Sequence, residues 1–186
     1  MKTAMVHQHQ GRLEEAENIY RKVLEIEPSH ADTMHRLGLI NHTRGKYKEA
    51  AELIGKAIIQ SPKVADYHSN LAAALLATGC AKSAVSHASR AVELETDLGE
   101  AHYNLGNALF SLGKSDSAVH SFQKAIETDP TNDLFWTNYL FALNFSPSTS
   151  QEFVFEENCR WGILKEQGKN FTSFKNDLTS DRRLRV

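Results

Sequence analysis

The chain has 186 residues, of which 41% are hydrophobic and 24% charged, with a formal net charge of -2 at pH 7. That balance, with a sequence pI near 6.5, excludes a general nucleic-acid binder, which needs a basic surface to displace counterions from phosphates. No run approaches the roughly 18 apolar residues of a membrane span, and MKTAMVHQHQ lacks an apolar core of signal-peptide length, so a cytoplasmic chain is expected.

Taken in order, the chain repeats itself. Gly11, Gly45, Gly79 and Gly113 are 34 residues apart, as are Ala16, Ala50, Ala84 and Ala118. Pro28, Pro62 and Pro130 keep the same step, with Thr96 where one is missing. A period of this length in a Gly, Ala and Pro register marks stacked helix-turn-helix units. Residues 1–30 supply a partial unit, with a short first helix and then Tyr20, Val23 and Pro28. Block 31–64 carries Leu37, Gly38, Ile54 and Ala57, and block 65–98 carries Leu71, Ala72, Ala88 and Ala91. The second of these lacks its proline, so its exit is expected to be less sharply defined.

Block 99–132 is the clearest. Leu105, Ala108, Leu109 and Leu112 form one helical stripe, and Ala118, Phe122, Ala125 and Ile126 form another. Gly113 stands between them, where the chain must reverse through a left-handed residue that glycine reaches without a Cβ clash. Gly106 and Ala118 are small where two helix axes would cross. Residues 133–146 begin a further, degenerate unit with Trp136, Tyr139, Leu140 and Leu143 on one stripe.

Residues 147–167 predict a different helix, capped by Ser148 or Ser150. Its apolar residues fall into two groups, Val154 with Trp161 and Phe155 with Cys159 and Ile163, widened by Phe153 and Leu164. A terminal helix should be polar outside; this one predicts a junction at Phe155, Trp161 and Ile163. Residues 168–186 read as a linker ending in an Arg/Leu/Val strand that opens a missing domain.

The pattern His102-x2-Leu105-Gly106-x2-Leu109, Ala118-x3-Phe122, Pro130 resembles the tetratricopeptide repeat (TPR) family over residues 1–146. The resemblance implies an all-α, right-handed superhelical solenoid of antiparallel helix pairs, with the first helix of each pair lining a concave, polypeptide-binding face. Sixth positions of the repeats are then Arg36, Asn70, Asn104 and Asn138. A side-chain amide both donates and accepts, so this row either holds an extended peptide backbone or braces neighbouring helices. Asp32, Asp66 and Glu100 occupy second positions, where carboxylates complement the helix dipole. Fifth positions hold His35, Ser69, Tyr103 and Thr137, and ninth positions Leu39, Ala73, Asn107 and Phe141. A clamp for chaperone C-terminal carboxylates would resemble Lys at the fifth position and Asn at the ninth, which His35, Leu39 and Glu100 do not match.

No catalytic constellation, phosphate loop or metal-ligand spacing is present, so no cofactor and no metal is expected. His68 and His102 are equivalent positions that predict packing at helix starts. Cys80 and Cys159 are far apart in sequence and read as free thiols.

A second resemblance covers the C-terminal part. Asn138, Tyr139, Leu140, Phe141, Leu143 and Asn144, then Arg160, Trp161 and Gly162, then Arg182 to Val186, are similar to the junction in protein O-GlcNAc transferases of the SPINDLY-like type. It implies that the array recruits substrate for, and packs against, a UDP-GlcNAc-dependent glycosyltransferase domain absent here. The other reading is a free-standing TPR scaffold that assembles a protein complex.

Overall fold

The computed structural model describes residues 2–167. The expected linker and strand, including Arg182 to Val186, lie outside the described residues. Ten helices follow one another: α1 (Lys2–His9), α2 (Leu13–Ile26), α3 (Ala31–Thr43), α4 (Tyr47–Gln60), α5 (Ala65–Ala77), α6 (Ala81–Leu94), α7 (Gly99–Ser111), α8 (Ser115–Thr128), α9 (Asp133–Leu143) and α10 (Gln151–Gln167). No strand occurs among the described residues. The chain is the all-α solenoid of antiparallel helix pairs that its period predicts.

Each pair is closed by the same device. Gly45 has a φ of +74°; its amide donates to His42 O at 2.9 Å, while the Lys46 amide donates to Asn41 O at 2.9 Å. These two bonds satisfy carbonyls that the end of α3 would otherwise leave unpaired. The turns at Gly11, Gly79 and Gly113 repeat it, with φ of +74°, +81° and +73°.

Helix pairs approach closely because the eighth position of each first helix is small. A Cβ on Gly38 would lie 2.5 Å from Ile54 Cγ1, and one on Gly106 would lie 2.6 Å from the Phe122 ring. Ala72 holds that place in α5. Opposite them Ala50, Ala84 and Ala118 are fully buried. The apolar core therefore runs as a chain of clusters through the stack, from Ala16, Tyr20 and Ile40 to Phe122, Phe135 and Trp136.

The exit from α6 is not looser for want of proline. The four exits after α2, α4, α6 and α8 have equal length. At each, the residue after the helix donates back four residues, as Glu95 does to Ala91 O at 2.9 Å. At the three exits after α4, α6 and α8 a ring nitrogen at the fourth position of the following helix then holds the exit carbonyl, whereas α3 has Met34 there. His68 Nε2 donates to Pro62 O at 3.1 Å, His102 Nε2 to Thr96 O at 2.8 Å, and Trp136 Nε1 to Pro130 O at 2.8 Å. The bonded group is a carbonyl, which threonine supplies as well as proline. His68 and His102 thus pack at helix starts, as their spacing predicts.

First helices touch one another along the stack, α3 with α5, α5 with α7 and α7 with α9, whereas α4, α6 and α8 do not. A row that is closer on one side curves towards that side, so the first helices form the inner wall. The period fails at α10, which among the described helices packs on α9. The eighth position of α9 is Leu140, too large for a close crossing. The two helices meet through Trp136 and Trp161, stacked with centroids 5.1 Å apart. Ser150 Oγ accepts from the Phe153 amide at 3.2 Å and caps α10.

Candidate functional site: the inner wall

The inner wall is built from one stripe of each first helix. In α5, Asp66, Asn70, Ala73 and Ala77 are accessible, while Tyr67, His68, Leu71, Ala72 and Ala74 are buried against the second helices. The spacing of the accessible four is that of a single helical face. The same positions in α3 are Asp32, Arg36 and Leu39, in α7 Glu100, Asn104 and Asn107, and in α9 Leu134, Asn138 and Phe141.

The three asparagines share one geometry. Each points its amide nitrogen at the fifth-position residue of the preceding repeat. Asn70 Nδ2 lies 3.0 Å from His35 Nε2, Asn104 Nδ2 donates to Ser69 Oγ at 3.0 Å and Ser69 O at 3.2 Å, and Asn138 Nδ2 donates to Tyr103 Oη at 2.9 Å. Asn138 Nδ2 also donates to Asn107 Oδ1 at 2.8 Å. The donors therefore brace repeat to repeat. The carbonyl oxygens Oδ1 of Asn70, Asn104 and Asn138 have no hydrogen-bond partner among the described residues, nor has Nδ2 of Asn107.

Arg36 replaces the first asparagine and turns inward on its own helix. Its Nε donates to Asp32 Oδ2 at 2.8 Å, and its guanidinium interacts with the Tyr20 hydroxyl. That pair neutralises the N-terminal end of the wall. Asp66 and Glu100 form no ion pair among the described residues, so the middle of the wall is negative. Desolvation raises the Glu100 carboxyl above its usual range although its edge is open to solvent. That combination suits a concave surface. Burial drives His35 down to about 4, against the opposing pull of Asp32 and Asp66; the ring is neutral and Nε2 accepts from Asn70. Tyr103 is half-buried and stacks on Phe135 at 5.3 Å.

Reading only as far as the ninth position misses part of the wall. Phe110, three residues beyond Asn107 on α7, and Phe145, in the turn just past α9, meet Phe141, with centroids 5.6 Å (Phe110–Phe141), 5.5 Å (Phe110–Phe145) and 5.0 Å (Phe141–Phe145) apart. Phe141 and Phe145 are each 55% exposed. Extending the helical stripe by one turn would have found them.

The predicted junction set divides. Trp161 is committed to Trp136, with Arg160 over the Trp136 ring and Lys165 over its own. Phe155 and Ile163 point away, 70% and 56% exposed, and with Cys159 and Leu164 line a shallow apolar cleft of about 380 Å³. Among the described residues no group of three or more His, Cys, Asp or Glu side chains could hold a metal ion, and no helix is long and apolar enough to cross a membrane.

Three family models, each described as a tetratricopeptide repeat, match residues 2–58, 43–98 and 99–132. No match was found among curated proteins. Among solved structures, MamA 41-end from Desulfovibrio magneticus RS-1 is similar at 18% identity and a TM-score of 0.78, over 91% of this chain and 94% of that one. YrrB, a TPR protein with an unusual peptide-binding site, is similar at 25% identity and a TM-score of 0.70, over 89% and 84%. The first TPR of Spaghetti (RPAP3), bound to the HSP90 peptide SRMEEVD, is similar at 24% identity and a TM-score of 0.59, over 61% and 90%. With its period, its glycine turns and these matches, the chain belongs to the tetratricopeptide repeat family, as a protein-interaction module.

Proposed function

We propose that this array docks an extended polypeptide along its inner wall. The observation that carries it is the row of unpartnered Oδ1 atoms on Asn70, Asn104 and Asn138. They accept from backbone N–H groups whatever the side chains are, and their amide nitrogens already fix them in place. Similarity to YrrB and to the Spaghetti TPR supports polypeptide as the ligand class. The SRMEEVD peptide of the latter is acidic, whereas Asp66 and Glu100 make this wall repel acidic ligands.

Selection of short random displayed peptides on the immobilised protein tests this reading. Enriched peptides should perturb the side-chain amide resonances of Asn70, Asn104 and Asn138. An array that enriches nothing, or binds peptides without touching those resonances, refutes it.

A finer version makes the array the substrate-recruiting part of a glycosyltransferase-like parent. It rests on the sequence resemblance of Asn138 to Asn144 and Arg160 to Gly162. The reading frame beyond Val186 tests it: no nucleotide-sugar domain, no such parent. The exposed Phe155 and Ile163 favour a scaffold reading, in which α10 meets another protein.

A further inference from the structure

We propose that the inner wall carries an aromatic anchor at its C-terminal end, and that its partner is a polypeptide presenting one bulky apolar side chain near a basic residue. The inference rests on the docking reading and adds what the ligand must bring. The anchor is Phe110, Phe141 and Phe145. Three rings packed on each other present two half-open faces to solvent, beside the stripe residues Asn107 and Asn138 and one turn further along the chain from them. An exposed aromatic on a polar wall is costly in water and pairs well with an apolar side chain inserted between ring faces.

Polar atoms beside the anchor suit a main chain entering it. Asn138 Oδ1 accepts and Asn107 Nδ2 donates, and neither has a partner among the described residues. Their two groups are joined by the bond from Asn138 Nδ2 to Asn107 Oδ1 at 2.8 Å, so they are held close together. One peptide unit offers both a donor and an acceptor to such a pair.

Charge sets the rest. Glu100 lies ten residues before Phe110 on α7, which is about 15 Å along the helix. An extended peptide covers that span in about four or five residues. Among the described residues neither Glu100 nor Asp66 has an ion-pair partner. A Lys or Arg within about five residues of the anchoring side chain reaches the carboxylate of Glu100. An acidic residue there is rejected.

The experiment uses peptides enriched on the whole protein, labelled with fluorescein and titrated by anisotropy. They should share an aromatic or large aliphatic residue with a basic residue within that separation. Phe141→Ala with Phe145→Ala should weaken them about tenfold or more, and Glu100→Gln should weaken them less and remove much of the salt dependence. Both phenylalanines are exposed, so the melting temperature should hold. Phe155→Ser on α10 is the contrasting variant and should leave affinity unchanged. If nothing is enriched, the docking reading falls and this one with it. Enriched peptides that bind the double phenylalanine variant as tightly as wild type overturn the anchor alone. So do peptides that lose affinity only through Phe155→Ser, which would move the anchor to α10.

Discussion

Asn104 separates bracing from docking. Its amide nitrogen makes two hydrogen bonds to Ser69, at 3.0 Å to the hydroxyl and 3.2 Å to the carbonyl, in a buried setting between α5 and α7. A net contribution of about 0.5–1.5 kcal/mol per bond gives Asn104→Ala a cost near 2 kcal/mol. For an ordered region of this size that is a fall in melting temperature of roughly 4–8 °C. Asn104→Asp sharpens the test. It keeps an acceptor facing the wall but sets a carboxylate oxygen against Ser69 O, where two acceptors repel. It should destabilise at least as much as alanine while retaining the groups that a peptide would use. Thermal and urea unfolding followed by circular dichroism read both variants. A double-mutant cycle with Ser69→Ala should show coupling of about 0.5–1 kcal/mol, because one of the two bonds ends on the hydroxyl. If Asn104→Ala and Asn104→Asp both melt like wild type, the amide does not brace and the reasoning fails.

Other perturbations follow from the same geometry. Gly113→Ala meets no atom within 4 Å but forces φ of +73° on a residue with a Cβ, so it should cost about 1–2 kcal/mol; Gly106→Ala meets the Phe122 ring instead and should cost about 1–3 kcal/mol, partly recovered with Phe122→Leu. Equal recovery of both glycine variants by Phe122→Leu would contradict the distinction. His35 has a folded pKa of about 4 against 6.5 for the free side chain, so the unfolded chain takes up the proton first. Stability should be full above about pH 6.5 and fall as pH drops towards 4, by up to about 3 kcal/mol; His35→Gln should flatten that window in urea titrations. Trp161→Ala should release α10 alone, seen as faster hydrogen exchange at 151–166 with α3 to α8 unchanged.

The fold was legible because repetition multiplies weak signals. One glycine after an apolar stripe says little; four at a fixed step, each with alanine five residues on, leave one architecture that satisfies them all. The proline series was less informative than it looked. What the exits after α4, α6 and α8 share is a carbonyl held by the ring nitrogen of His68, His102 or Trp136, and any residue supplies a carbonyl. The failure of the repeat at α10 was visible as two apolar groups on one helix. The contact that replaces the repeat packing was not, because it is the stacking of Trp136 on Trp161, two residues that no shared register relates.

The inner wall was legible in register but not in polarity of use. Spacing placed Asn70, Asn104 and Asn138 in a row and left open whether they hold a ligand or each other. Their geometry divides each amide between the two tasks. The nitrogen is spent on the preceding repeat, so what remains for a ligand is a line of acceptors. A line of acceptors selects for donors, and the donors common to every polypeptide are its backbone N–H groups. Such a row gives affinity without register, since one N–H resembles the next. Register has to come from groups that differ along the wall: the free donor on Asn107, the carboxylates of Asp66 and Glu100, and the three phenylalanines at the far end. On the docking proposal a partner is therefore chosen at the C-terminal end of the array and merely accommodated along the asparagines, so substitutions at Phe141 and Phe145 should change which peptides bind, and substitutions in the asparagine row should change how tightly all of them do.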